Sequence, residues 1–260
     1  MRVAWGKIFM KKFLFAIPLL LFSLVLFAQD EDNTYWSYIC VISDNDGYTN
    51  VRGGCSTSSA VVGKVSCKEI FLAGRGSCSS MEEIWYNPQY EQKDGYRKSC
   101  EEGVGYMHKS RIMPLSKLNR LNKWAMADDG VKIENDSIVV SIKTKKFSET
   151  EHTIDRNVEE GWVETIDKKQ AWGIDGWVPQ VEIASISIKN NHTQEVYHLP
   201  KSAIKNLYEP TIAKGYTGVF IGRNNELYIV MNNSDGAGSY LVGWAIVDMK
   251  LKTMNLITPF

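Results

Sequence analysis

The residues of this sequence that could do chemistry fall in two places. Cys40, Cys55, Cys67, Cys78 and Cys100 crowd one stretch, and Asp167, Asp175 and Glu182 lie farther on among Trp162, Trp172 and Trp177. A cysteine nucleophile needs an adjacent base and a turn that presents its sulfur. The bases available are His108, His152, His192 and His198; no helix start carries a cysteine, and GxSxG and HExxH are absent. Thiol catalysis is therefore not expected. Paired carboxylates beside indole rings suit glycoside chemistry, in which the acids flank the bond and the rings stack on sugar. The same residues also read as structure: Asp175-Gly176 is a turn dipeptide, and a buried aromatic contributes about 1.5–3 kcal/mol to a core. Asn232, Asn233, Ser234 and Asp235 offer oxygens for calcium, but no acidic residue follows at EF-hand spacing. The cysteines lack CxxC spacing and the histidines lack HxxxH spacing, so no metal is expected, no cofactor and no catalytic residue.

The chemistry must be placed in a compartment before the cysteines can be read. Residues 1–28 hold Arg2, Lys7, Lys11 and Lys12 and no acid, and an apolar run from Phe13 to Phe27 gives way to the acidic stretch after Gln29. That is the form of a signal peptide with cleavage near Ala28, shorter than a membrane span. A periplasmic or secreted protein follows, with no membrane contact after cleavage. The full chain carries 30 basic and 30 acidic residues, so loss of those four basic ones leaves a slight acidic excess. Without a basic block there is no footprint for nucleic acid. In an oxidising compartment, clustered cysteines staple a small loop-rich domain. Five is odd, so at least one thiol is left over or pairs between chains. Cys78 with Cys100 is the expected pair, because these two flank a long loop whose closure is worth about 3 kcal/mol.

The elements that must position these groups read as strands. Asp-Gly occurs at Asp46-Gly47, Asp94-Gly95, Asp129-Gly130, Asp175-Gly176 and Asp235-Gly236, which is the punctuation of tight hairpin turns. Period-two alternation marks residues 139–143, 181–188, 226–231 and 239–247, the last with Tyr240, Val242, Trp244 and Ile246 on one face. Helical spacing is confined to Leu118, Leu121 and Trp124, a linker helix over 118–127, and to a short turn after Pro200. The fold class is all-β and mainly antiparallel. Residues 29–117 form a small barrel, and 128–260 a β-sandwich or curled sheet with one short helix.

From Ile42 the chain reads ISDNDGYTNVRGGCSTSSAVVGKVSCKEIFLAG and closes with GVGYMHKSRI at residues 103–112. Over about residues 36–113 this resembles the bacterial SH3 domain family. Val51 and Arg52 match its NVR-like strand, Gly54 its small-residue loop, and Val61, Val62 and Gly63 the next strand. Tyr106, His108, Ser110 and Arg111 match its closing element. Thr49, Cys55 and the long segment from Ser77 to Glu102 depart from the pattern, and that segment brings Trp85, Tyr86, Tyr90 and Tyr96. Val51 and Val61 are expected to point inward. The resemblance implies a non-catalytic envelope protein that holds a cell-wall peptide or a protein segment. Candidate groove residues are Tyr48, Asn50, Arg52, Trp85, Tyr86 and Tyr106. The second half resembles a recurring domain of uncharacterised secreted bacterial proteins, which implies no activity. Two alternatives stand beside binding: a carbohydrate-directed envelope enzyme with its site in the second half, and a secreted inhibitor or immunity-type protein. Convergent carboxylates around Asp167 and Asp175 would favour the enzyme, and an exposed aromatic patch would favour binding.

Overall fold

The computed structural model describes residues 35–44, 46–233 and 236–258; the signal peptide expected at 1–28 and the Asp235 turn residue lie outside them. In chain order the first half holds β1 (Ile39–Ile42), β2 (Tyr48–Arg52), β3 (Val61–Ser66), β4 (Phe71–Cys78), β5 (Met81–Tyr86), β6 (Tyr90–Lys93), β7 (Tyr96–Ser99), β8 (Gly103–His108) and β9 (Ile112–Pro114). Then come β10 (Asn119–Arg120), β11 (Lys123–Ala127), β12 (Gly130–Glu134), β13 (Ile138–Lys146), β14 (Ile154–Arg156), β15 (Val163–Ile166) and β16 (Lys169–Gln170). The chain ends with β17 (Val181–Asn190), β18 (Val196–His198), β19 (Thr217–Ile221), β20 (Leu227–Asn233), β21 (Tyr240–Val247) and β22 (Lys250–Ile257). The fold is all-β, and among the described residues every pairing of named strands except β7 with β22 is antiparallel.

The first sheet runs β3-β2-β8-β5-β4-β1-β9. Val65 from one edge shares a cluster with Cys40 and Ile42 near the other, together with Val51, Phe71, Ile84, Tyr86 and Met107. Side chains five strands apart can meet only if the sheet curls on itself, so the twist wraps it round one core. Val51 points inward and is fully buried, but Val61 does not, being 48% exposed. Val65, two pleats further along β3, fills that place instead.

The long segment after β5 does something the sequence did not suggest. Asp94 and Gly95 both take positive φ, 45° and 84°, and close a hairpin in which Lys93 faces Tyr96. Two left-handed residues match the twist of paired strands, which is why Asp-Gly serves here. The hairpin leaves the first sheet and extends a second, β10-β19-β20-β21-β22-β7-β6, through the parallel pairing of Arg97 with Thr253 and Lys98 with Met254. Tyr96 is buried among second-half residues.

The second sheet is buried on both faces. Tyr240, Val242, Trp244 and Ile246 of β21 pack toward a third sheet, β11-β12-β13-β17-β18, against Val131, Ile133, Val140 and Ile186. The alternate residues Leu241 and Ala245 turn the other way and join Phe220, Tyr228, Val230 and Ile257 against Trp36, Ile39, Ile70 and Leu115. Hence β20 is buried at every position, as a strand between two layers must be. The border near residue 117 is crossed by a sheet, by this shared core, and by Asn255, which accepts from the Ile70 N–H and donates to Asn87.

Two expectations are corrected. No helix spans 118–127: β10 and β11 occupy it, and Leu118 serves the inter-half core while Leu121 and Trp124 serve the other. Apolar residues three apart arise here from one irregular strand path feeding two cores, not from a helical face. Cys78 pairs with Cys55, not Cys100; their Cα atoms are 5.8 Å apart. The hairpin carries Cys100 toward the second sheet, where its thiol is free and exposed, and Cys40 and Cys67 are also free. After Pro200 there is one 3₁₀ turn, Lys201–Ala203. The last short sheet is β14-β15-β16.

Candidate functional site

Alternation along β2 sends Thr49 and Val51 inward and leaves Tyr48, Asn50 and Arg52 on the outer face. There they line a cleft of about 410 Å³ with Asp44, Asp46, Thr57, His108 and Arg111. Asp44 Oδ2 accepts from Thr49 Oγ1 at 3.1 Å and pairs with Arg111 Nη1 at 3.1 Å. Arg52 Nη1 donates to the Ser59 carbonyl at 2.7 Å, fixing the β2–β3 loop. His108 Nδ1 lies 2.8 Å from Ser110 Oγ. Tyr48 is exposed, with Lys64 Nζ 4.4 Å from its ring centre.

The other groove candidates are placed differently. Tyr106 faces Arg52 across the β2–β8 pair and donates to Glu83 Oε2 at 3.1 Å, and this bond raises its phenol above the ordinary value. Trp85 shares that outer face, opposite Val104, but lies beyond the cleft. Tyr86 belongs to the core, where its ring occupies the space over Gly63. Tyr86 lies two along from Ile84 on β5, so regular alternation sends both inward and Trp85 outward.

Ser110 Oγ touches His108 Nδ1 in this cleft, but that same nitrogen also accepts the Ser110 N–H and caps the 3₁₀ turn Lys109–Arg111, so the contact has a structural use. Cys55 and Cys78 are oxidised, and burial pushes the Cys40 and Cys67 thiols up, away from thiolate.

In the second half the carboxylates separate. Asp175 Oδ1 accepts the Gly238 N–H at 2.7 Å and ties down the loop before β21. Asp167 and Glu182 instead converge on His152, which sequence reasoning passed over. His152 follows the 3₁₀ turn Glu149–Glu151 and stacks on Phe147, with ring centres 4.6 Å apart. Its Nδ1 lies 3.1 Å from Asp167 Oδ2 and its Nε2 lies 3.5 Å from Glu182 Oε1. Lys205 pairs with Asp167 at 3.0 Å, and Lys145 bridges Glu151 and Glu182 at 2.8 and 3.1 Å. Burial would raise the Asp167 carboxyl, but the Thr153 N–H, Lys205 and His152 outweigh it and hold it at about 2. The sequence signal for this cluster was only a histidine flanked by acids, without periodicity.

Two other surfaces bear on binding. Trp162 and Trp177 are 51% and 80% exposed, and they flank the hydrogen bond from the Val163 N–H to the Gly176 carbonyl. Trp172, by contrast, packs against the large core. A cavity of about 430 Å³ lies between the β6–β7 hairpin and the second half, lined by Lys93, Lys98, Lys169, Trp172, Lys205 and Met254 among others. Burial lowers the Lys98 amine there. Asn233 of the oxygen-rich run is buried and accepts the Thr211 N–H, so its carbonyl oxygen is already engaged. Among the described residues no helix is long and apolar enough to cross a membrane.

No family model, curated protein or solved structure matches the chain.

Proposed function

We propose that this is an exported, non-catalytic binding protein of the bacterial cell envelope, periplasmic or secreted after cleavage near Ala28. Its first sheet acts as a bacterial SH3-like module that contacts a cell-wall peptide or a segment of an envelope protein. The observation that carries this reading is the cleft on the outer face of β2. An aromatic ring, an amide and a guanidinium from Tyr48, Asn50 and Arg52 line it together with Asp46, His108 and the Asp44–Arg111 ion pair. A cleft with both charge signs suits a short peptide that bears free amino and carboxylate groups, held by hydrogen bonds and an aromatic wall. Trp162 and Trp177 give the second half its own exposed aromatic surface for a further contact. Asp175 does not support the enzyme reading, being engaged by the loop before β21, while Asp167 and Glu182 meet at His152.

The test is co-sedimentation of the full exported chain with purified peptidoglycan. The parent should pellet, and Tyr48→Ala and Asn50→Ala should stay in the supernatant. A parent that does not pellet, or variants that pellet as well as it does, would overturn the proposal. A fragment of 29–117 is not a fair substrate for this test, because β6 and β7 would lose their sheet.

A further inference from the structure

The proposed ligand cleft makes no use of the cluster around His152. Glu151, His152 and Glu182 each offer one donor atom there, and the three atoms lie within 4.8 Å of one another. Three acids and two lysines on a surface make an ordinary ion-pair network, so the case rests on two other features.

The first is the histidine's orientation. Asp167, itself held by the Thr153 N–H and Lys205, accepts at Nδ1. A carboxylate on one ring nitrogen fixes the tautomer and turns the lone pair of the other outward, which is how metal-bound imidazoles are held. In the neutral ring Nε2 then faces the Glu182 carboxylate at 3.5 Å, acceptor against acceptor, a contact that a proton on Nε2 or a cation between the two relieves. Phe147 stacks on the ring and keeps it from turning away.

The second feature is Tyr208. It is 1% exposed, and its hydroxyl has no hydrogen-bond partner among the described residues. Its ring meets His152 edge-on at 6.4 Å and Phe147 edge-on at 5.5 Å, and burial, with the charges of Asp167 and Glu182 added, pushes its phenol up. A buried hydroxyl left alone costs about 1–3 kcal/mol and calls for a missing partner.

We infer that this cluster is a binding site for a divalent transition-metal ion of the zinc type, ligated by His152 Nε2, Glu182 and Glu151, with Tyr208 hydrogen-bonding a water on the metal. Nitrogen and carboxylate donors at about 2.0–2.2 Å suit zinc. The three donor atoms must draw together by roughly an ångström to reach that distance, and the exposed Glu151 side chain has the freedom to do so. Lys145 is the competitor, since its ammonium already bridges the same two glutamates. It is half exposed on a flexible stem, so a doubly charged ion can displace it.

The experiment titrates the full chain, stripped with chelator, with Zn²⁺ by calorimetry and with Co²⁺ by visible absorbance. One equivalent should bind, with the cobalt bands of a low-coordinate nitrogen–oxygen site. Glu182→Gln and His152→Ala should abolish those bands, and Asp167→Asn should weaken binding about 10–100-fold. Lys145→Met should tighten binding, an effect a structural ion-pair network would not produce. It also removes only an exposed side chain, so its fold is safe. Failure of Lys145→Met to bind metal would overturn the inference. So would equal affinity in parent and Glu182→Gln, with His192→Ala removing the signal instead.

Discussion

Truncating Tyr96 tests whether the two halves of the chain are one folding unit. By sequence Tyr96 belongs to the cysteine-rich half, yet it is 1% exposed and packs in the core between the second and third sheets. Removing a buried aromatic side chain costs about 3–5 kcal/mol, the transfer loss plus the cavity left behind. Its hydroxyl reaches Ser202 only at 3.4 Å, a weak bond that adds little. The neighbouring 430 Å³ cavity, lined by Ser202, Leu207 and Met254, lets the site relax or admit water. Both points place Tyr96→Ala near the low end, about 3 kcal/mol. The assay is urea unfolding of the oxidised full chain, followed by tryptophan fluorescence and far-ultraviolet circular dichroism. Both probes should show one transition, shifted together to lower midpoint with an unchanged slope. Tyr48→Ala, at an exposed position, should move it by less than about 0.5 kcal/mol. A Tyr96→Ala loss below about 1 kcal/mol, or two transitions of which only one moves, would refute the shared core.

Two further predictions follow from the cysteines and from a buried acid. Cys55 and Cys78 close a loop with a sequence separation of 23, worth about 3.4 kcal/mol of chain entropy; Cys55→Ser should lower oxidised stability by that order while Cys100→Ser melts like the parent, and the reverse result would restore the Cys78–Cys100 pairing. Burial pushes the Glu69 carboxyl above its ordinary 4.5, despite help to the charged form from the Ser66 N–H and Arg97. A carboxyl raised on folding binds its proton more tightly in the folded state, so its contribution to stability falls as pH climbs from that ordinary value through the raised one. The urea midpoint of Glu69→Gln relative to parent should therefore rise over that window, and a flat difference would show that Arg97 already compensates the charge.

Much of the local structure was legible because it depends on neighbours in sequence. Asp94-Gly95 announced its hairpin through the left-handed angles it tolerates. The face of β21 that carries Tyr240, Val242, Trp244 and Ile246 was read directly from alternation. Burial of Leu241 and Ala245 on the opposite face was not, since alternation reports one core and this strand serves two. Partner choice across long separations was illegible for the same physical reason. Nothing in residues 90–99 specifies a parallel strand at Thr253, and nothing in the cysteine spacing distinguishes Cys55 from Cys100 as the mate of Cys78. At the sites, β2 alternation brought Tyr48, Asn50 and Arg52 into one cleft, and the same alternation along β5 put Tyr86 in the core beside Ile84 and left only Trp85 outside. His152 gave no warning because its partners Asp167, Glu182 and Tyr208 come from three separate segments.

The layering limits where this protein can meet a ligand. The central strands of the second sheet, β20 and β21, are covered on both faces, so however rich in aromatic residues they have no face left for recognition. Recognition falls to other surfaces, among them the outer face of the first sheet and the periphery built by β13 to β17. These are the places where the cleft of Tyr48 and Arg52 and the His152 cluster occur. Because the β6–β7 hairpin and the shared core lock the first sheet to the second, the cleft is mounted on a rigid three-layer body, not on a tethered module. A ligand therefore gains affinity at the cleft without having to order a linker between the halves. It also means that a substitution in the shared core, such as Phe220→Ala, should weaken peptidoglycan binding only by lowering the folded fraction: at temperatures well below its melting point, the variant should pellet like the parent. Loss of binding by fully folded Phe220→Ala would show that the second half contributes directly to the cleft's ligand.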